Sequence, residues 1–162
     1  MEHYLHFMKL HLLRHARASQ NSNGLDIDRS LNNKGLAQVS ALREFIRGRL
    51  HSPVVWCSEA NRTRMTLEGI KDVILPFSIA YKADFYLCNK DIILEQLWNN
   101  SPESELLIVG HNFGISDLLN YLTGEEILLG TSEYVCIDFD QLKLSESSHE
   151  TGEIITQFRP EV

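Results

Sequence analysis

In the stretch LLRHARAS, residues 12–19, Arg14 and His15 stand side by side directly after an apolar run that begins at Leu10 and is broken only by His11. Such a run reads as a buried strand, with the charged pair at its carboxyl end. His111 ends the run LLIVGH, residues 106–111, in the same way, and Arg62 follows the run PVVWC, residues 53–57, in the first turn of a helix. Two guanidiniums and two imidazoles brought together make an anion site. The guanidinium fork matches a phosphate bidentately, the amino end of the Arg62 helix adds the positive end of its dipole, and histidine can serve both as phosphate contact and as nucleophile. No serine or cysteine sits in a nucleophile motif such as G-x-S-x-G, and no glycine-rich phosphate loop is present.

The elements that must position these groups are readable from periodicity. Strands are expected at Lys9–His15, Pro53–Cys57, Phe77–Tyr81 (weak), Leu106–His111, Tyr134–Phe139 and Glu153–Phe158. Residues 18–30 are polar and read as a loop. A helix follows, with Asn32 as its cap and Leu36, Val39, Leu42, Ile46 and Leu50 at helical spacing, and Gly35 at its start costs some stability. Ser58 can cap a second helix over about Ala60–Ile74. A third helix, over residues 90–100, carries Ile93, Leu94, Leu97 and Trp98 on one face. In a fourth, Ile115, Leu118, Leu119 and Leu122 form an apolar stripe ending at Gly124. Strands alternating with helices imply an α/β fold, a three-layer sandwich with helices on both faces of a mostly parallel sheet. Ligands of such sheets bind beyond the carboxyl ends of the strands, which is where the four groups fall if their strands are neighbours.

Composition sets the frame. At 162 residues the chain reads as a single domain over 1–162, with residues 1–7 a loose extension and Met8 an alternative start. A domain of this length buries about 70% of the surface its unfolded chain exposes. The net charge of −7 and pI near 5.4 argue against nucleic-acid binding and make any anion site a local exception. Cys57, Cys88 and Cys136 have neither metal-ligand nor redox-motif spacing and read as reduced thiols of a cytoplasmic protein. MEHYLHFMKL is a poor signal peptide, and no run is long enough to span a membrane. Each candidate alone has an ordinary explanation: a histidine at a strand end is more often structural, and an arginine on a helix is more often solvated. Arg64 is read as the solvated arginine, Asn112 as a backbone partner at its turn, and His3, His6, His11, His51 and His149 as surface or packing residues without zinc-site spacing.

Four motifs in order carry a resemblance. LRHA is similar to the RHG signature of the histidine phosphatase superfamily, the phosphoglycerate mutase-like family, whose smallest members, the SixA-type phosphohistidine phosphatases, match this length. DIDRSLNNKG (26–35) resembles the family's D-x-x-R-P-L-x-x-x-G, with Ser30 for proline. SEANRTRMT (58–66) matches S-x-A-x-R-T-x-x-T. VGHNFGISDLLNYL (109–122) resembles V-G-H-N-P-G-x-S-x-L-L-x-x-L, with Phe113 for proline. The resemblance implies the phosphoglycerate mutase-like fold, with His15 as nucleophile, Arg14, Arg62 and His111 clamping the phosphoryl oxygens, and Arg29 at a basic loop position. It implies a two-step hydrolysis through phosphohistidine with no metal and no cofactor. Asp84, in KADFYL, lies roughly where larger members carry a general acid. Ala16 replaces the signature glycine, so its methyl is expected to crowd the turn or the phosphate and reduce activity. Arg17 stands where SixA-type members often have an acid and raises the positive potential at the mouth. A weakly supported acid favours a good leaving group, since imidazolium has a pKa of about 6.5 whereas an alkoxide needs a proton. The implied substrate is phosphohistidine on a signalling protein. A small phosphorylated metabolite, or a catalytically weak module that only binds a phosphorylated partner, remains an alternative.

Overall fold

Trp56, Ile108, Leu12 and Val135 lie on four adjacent strands of one sheet. The computed structural model describes residues 8–20 and 23–162, so the readings made for residues 1–7 lie outside it. The strands are β1 (Lys9–Arg14), β2 (Val54–Ser58), β3 (Ser78–Lys82), β4 (Leu106–Gly110), β5 (Tyr134–Asp138) and β6 (Glu153–Phe158), and their order across the sheet is β3-β2-β4-β1-β5-β6. The first four are parallel, β5 runs antiparallel beside β1, and β6, antiparallel to β5, ends that edge in the direction of the first four. The helices are α1 (Asn33–Ile46), α2 (Asn61–Glu68), α3 (Lys71–Ile74), α4 (Lys90–Asn100) and α5 (Gly114–Thr123).

Alternation in the central strands divides the core in two. Leu10, Leu12, Leu106 and Ile108 pack with Ile93, Leu94 and Leu97 of α4 and Leu118, Leu119 and Leu122 of α5. Leu13, Val55, Cys57, Leu107 and Val109 pack with Val39, Leu42 and Ile46 of α1, Leu67 of α2 and Ile74 of α3. Period-two alternation across the sheet thus produces the expected three layers. Among the described residues, no helix is long and apolar enough to cross a membrane.

Several local expectations need correction. The helix expected over Ala60–Ile74 is two helices, parted at Gly69–Ile70. A side chain at Gly69 would meet Val39 Cγ1 at 2.2 Å, so the chain bends where α1 comes closest. Asn32 does cap α1, accepting from Gly35 N at 2.8 Å. Leu36, however, is exposed. Gly35 takes the inward position because a Cβ there would lie 2.0 Å from the Arg17 carbonyl oxygen, so glycine is required where only a helix penalty was expected. Trp98 is also partly exposed, with its indole N–H donated to the Ser147 carbonyl.

Candidate active site

β1, β4 and β2 are neighbours, so Arg14, His111 and the Ser58–Arg62 turn meet at one end of the sheet. They line a cleft of about 340 Å³ together with His15, Arg17, Arg29, Asp26, Asn112, Leu87 and Thr131. Arg14, His15, Arg29, Arg62 and His111 are therefore gathered as expected. Asp84 is not among the lining residues. It is exposed on the 3-10 turn Ala83–Phe85, where Phe85 takes the core position. The carboxylate that does line the cleft is that of Asp26, the first residue of the D-x-x-R stretch, to which the sequence reading gave no role.

His15 is held in one tautomer. Its Nδ1 lies 2.7 Å from the Ala16 carbonyl oxygen, which can only accept, so Nδ1 carries the proton. Nε2 is left with its lone pair and receives Arg62 Nε–H at 3.3 Å. Burial, opposed by the Ala16 bond and reinforced by Arg62, Arg14 and Arg29, lowers its pKa to about 4. His111 is lowered to about 3, first by burial and then by His15 and Arg62. Both rings, 5.2 Å apart between centroids, are neutral at neutral pH.

The backbone around His15 is fixed by residues from three elements. His15 N donates to the Gly110 carbonyl at 3.1 Å, and Ser132 N donates to the Arg14 and His15 carbonyls. Ala16 N donates to Thr66 Oγ1, whose hydroxyl in turn donates to the Arg62 carbonyl. The last threonine of S-x-A-x-R-T-x-x-T thus couples the His15 loop to the Arg62 helix, a role that spacing alone did not reveal. Arg17 N donates to Gln38 Oε1, and Gln38 Nε2 donates to Thr131 Oγ1. Arg17 itself is exposed at the mouth.

Ala16 departs from expectation. Its side chain is fully buried in the apolar cluster with Leu13 and Leu31, it does not line the cleft, and its φ is not positive. The methyl points into the core and not into the cleft. Asn112, as read, serves the turn, donating to the Leu129 carbonyl at 2.8 Å and accepting from Ser116 at 2.6 Å. Arg64 is exposed and lies over the Tyr81 ring.

Asp26 organises the side opposite His15. It accepts from Arg62 Nη2 at 3.1 Å, from Arg29 Nη1 at 3.0 Å and from the Tyr86 hydroxyl. The Tyr86 bond first, then Arg29 and Arg62, hold its carboxyl well below the usual range. Tyr86 meets the His111 ring edge-on at 5.6 Å. Its segment is pressed against α5, because a Cβ on Gly114 would lie 2.2 Å from the Cys88 carbonyl oxygen. Tyr86 lies 60 residues from Asp26, and no local pattern announced it.

Among the described lining residues four guanidiniums face one carboxylate, so the cleft is locally cationic in an acidic protein. Buried Arg14 Nε and His111 Nδ1 have no hydrogen-bond partner among the described residues. A tetrahedral oxyanion would supply the missing acceptors. Among the described residues, no group of three or more His, Cys, Asp or Glu could hold a metal ion.

The histidine phosphatase superfamily (branch 1) pattern matches residues 10–83. None of the curated proteins gives a significant match. Among solved structures, a candidate phosphohistidine phosphatase SixA from Agrobacterium tumefaciens superposes with a TM-score of 0.82 at 22% identity, covering 94% of this chain and 98% of that one. A candidate SixA from Nakamurella multipartitia gives 0.81 at 25% identity, covering 96% and 97%. The protein histidine phosphatase SixA complexed with tungstate gives 0.77 at 20% identity, covering 93% and 96%.

Proposed function

For a chain that carries the histidine phosphatase superfamily pattern over residues 10–83 and the phosphoglycerate mutase-like fold, we propose a phosphatase that acts on phosphohistidine through a phosphorylated His15. One observation carries the reading: a neutral His15, protonated on Nδ1, presents Nε2 into a cleft of arginines.

In the first step the Nε2 lone pair forms a bond to phosphorus as the substrate N–P bond breaks in line. The electron pair goes to the substrate ring nitrogen, which leaves as neutral imidazole because its other nitrogen already carries a proton. The Ala16 carbonyl stabilises the positive charge that builds on the His15 ring. Arg14, Arg62, His111 and Arg29 spread charge off the equatorial oxygens. As the phosphoryl group enters, its oxygens take over Arg62 N–H groups that Asp26 and His15 engage in the free protein. In the second step water attacks phosphorus, the His15 N–P bond breaks, and His15 returns neutral as dihydrogen phosphate forms with both water protons.

Asp26 supports the choice of substrate. A carboxylate held so firmly as an anion is a poor proton donor to an alkoxide. A leaving imidazole does not need one. The reading extends to a phosphorylated protein of the cytoplasm as substrate, which the open, locally cationic mouth at Arg17 and the three free thiols support. Turnover of a phosphohistidine-bearing protein should exceed that of an aryl or sugar phosphate by a wide margin on the same preparation. Faster turnover of the sugar phosphate would reject this assignment.

A further inference from the structure

Of the four polar positions that the S-x-A-x-R-T-x-x-T motif specifies, Ser58 is the one that the phosphatase reading leaves without a task. Thr63 donates to the Ser58 and Ala60 carbonyls, Thr66 ties the His15 loop, and Arg62 lines the cleft. Ser58 was expected to cap the following helix. The structure shows instead that the cap position is Ala60, without a side-chain cap bond. The Ser58 hydroxyl is fully buried and lies 2.8 Å from His111 Nε2.

We propose that Ser58 is a positioning residue that fixes His111 in its Nδ1–H tautomer and so turns a hydrogen-bond donor toward the anion. Buried donors and acceptors must find partners. Among the described residues, the Ser58 hydroxyl has two hydrogen-bond neighbours, Ala60 N at 3.4 Å and His111 Nε2. The amide only donates, so the hydroxyl proton has one acceptor, the Nε2 lone pair. If Nε2 carried the proton instead, the buried hydroxyl would face two donors and its own proton would be unpaired, a costly arrangement. With Nε2 as acceptor, the proton of neutral His111 resides on Nδ1. That atom is buried and has no partner among the described residues, as is true of Arg14 Nε. Two orphaned donors beside one cleft call for a ligand with more than one acceptor oxygen. In the opposite tautomer a lone pair at Nδ1 would repel a phosphoryl oxygen.

The inference rests on the reading of the cleft as a phosphoryl site, but its test does not depend on turnover. In the full chain labelled with ¹⁵N-histidine, the ring nitrogen shifts of His111 at neutral pH should report Nδ1–H. Ser58→Ala should populate the Nε2–H form and weaken inorganic phosphate or vanadate by roughly 10-fold or more, the scale on which hydrogen-bond partners of ligating histidines act. Ser58→Thr, which keeps the hydroxyl, should restore both. A wild-type His111 protonated on Nε2 would overturn the proposal even in an active enzyme, and needs no variant to fold. An Nδ1–H tautomer unchanged in folded Ser58→Ala would overturn it as well. Loss of phosphatase activity in the wild type with the tautomer as stated would reject the proposed function and leave the role of Ser58 standing.

Discussion

Arg62 Nε lies 3.3 Å from His15 Nε2, while Arg62 Nη1 and Nη2 hold the Asp26 carbonyl and carboxylate. In the free protein one guanidinium thus spans the nucleophile candidate and the only acid among the described lining residues.

The pH dependence should be displaced toward acid. kcat/KM reports groups of the free enzyme, and His15 loses its lone pair only below about pH 4. With the phosphomonoester's own ionisation near about pH 6 factored out, a profile on an acid-stable substrate should stay level down to about pH 5 and fall near 4. A remaining limb centred near 6.5 that does not move with the substrate's pKa would mean that His15 is not held neutral by its surroundings.

Stability should fall as pH is lowered from about 6.5 toward 4. In the unfolded chain both imidazoles take up protons near pH 6.5, while folded His15 and His111 resist until about 4 and 3. Between those values the unfolded state binds more protons, so unfolding becomes easier with acid, by on the order of a few kcal/mol. Denaturant midpoints of a His15→Asn/His111→Asn double variant should show a flatter slope through this window than the wild type.

Restoring the signature glycine should not help. The Ala16 methyl is buried in the core and away from the cleft. Ala16→Gly removes that packing and adds unfolded-chain freedom, a loss of about 1–2 kcal/mol by thermal or denaturant melts. Its turnover should be no higher than wild type. A clear gain would mean that the methyl obstructs the ligand after all.

Two aspartates should separate cleanly. Asp26→Asn removes an anion that competes for Arg62 and Arg29, so phosphate or tungstate should bind several-fold tighter by calorimetry. Asp84→Asn, on an exposed turn outside the cleft, should change neither anion binding nor the ratio of phosphohistidine to phosphomonoester turnover. A selective loss on phosphomonoesters in Asp84→Asn would return Asp84 to the role of general acid.

Much of the fold could be read from the chain because burial and periodicity agree. In β4 the pairs Leu106/Ile108 and Leu107/Val109 face opposite cores, and the Asn32 cap and the Gly124 helix end are as the sequence suggests. Where periodicity failed, a specific contact had overruled it. Leu36 is turned out because Gly35 must receive the Arg17 carbonyl, and polar Gln38 is buried because it bonds Arg17 N and Thr131. At the site, the strand-end residues Arg14, His15 and His111 and the first-turn Arg62 were legible, since position in the element fixes where they point. The partners that tune them were not. Tyr86 meets Asp26 across 60 residues, and Ser58 meets His111 across 53, through tertiary packing that leaves no local spacing. Asp84 matches the family's acid only by its rough position in KADFYL, and that position does not show that Phe85 takes the core side of the turn and leaves Asp84 in solvent.

The central claim is the covalent role of His15, and a rapid quench under alkaline conditions tests it most directly. With a ³²P-labelled phosphohistidine protein as donor, acid-labile, alkali-stable label should appear on the enzyme within the first turnover, map to His15, and vanish in a folded His15→Ala variant. Turnover without any trapped label on His15, or label that persists in His15→Ala, would contradict the account.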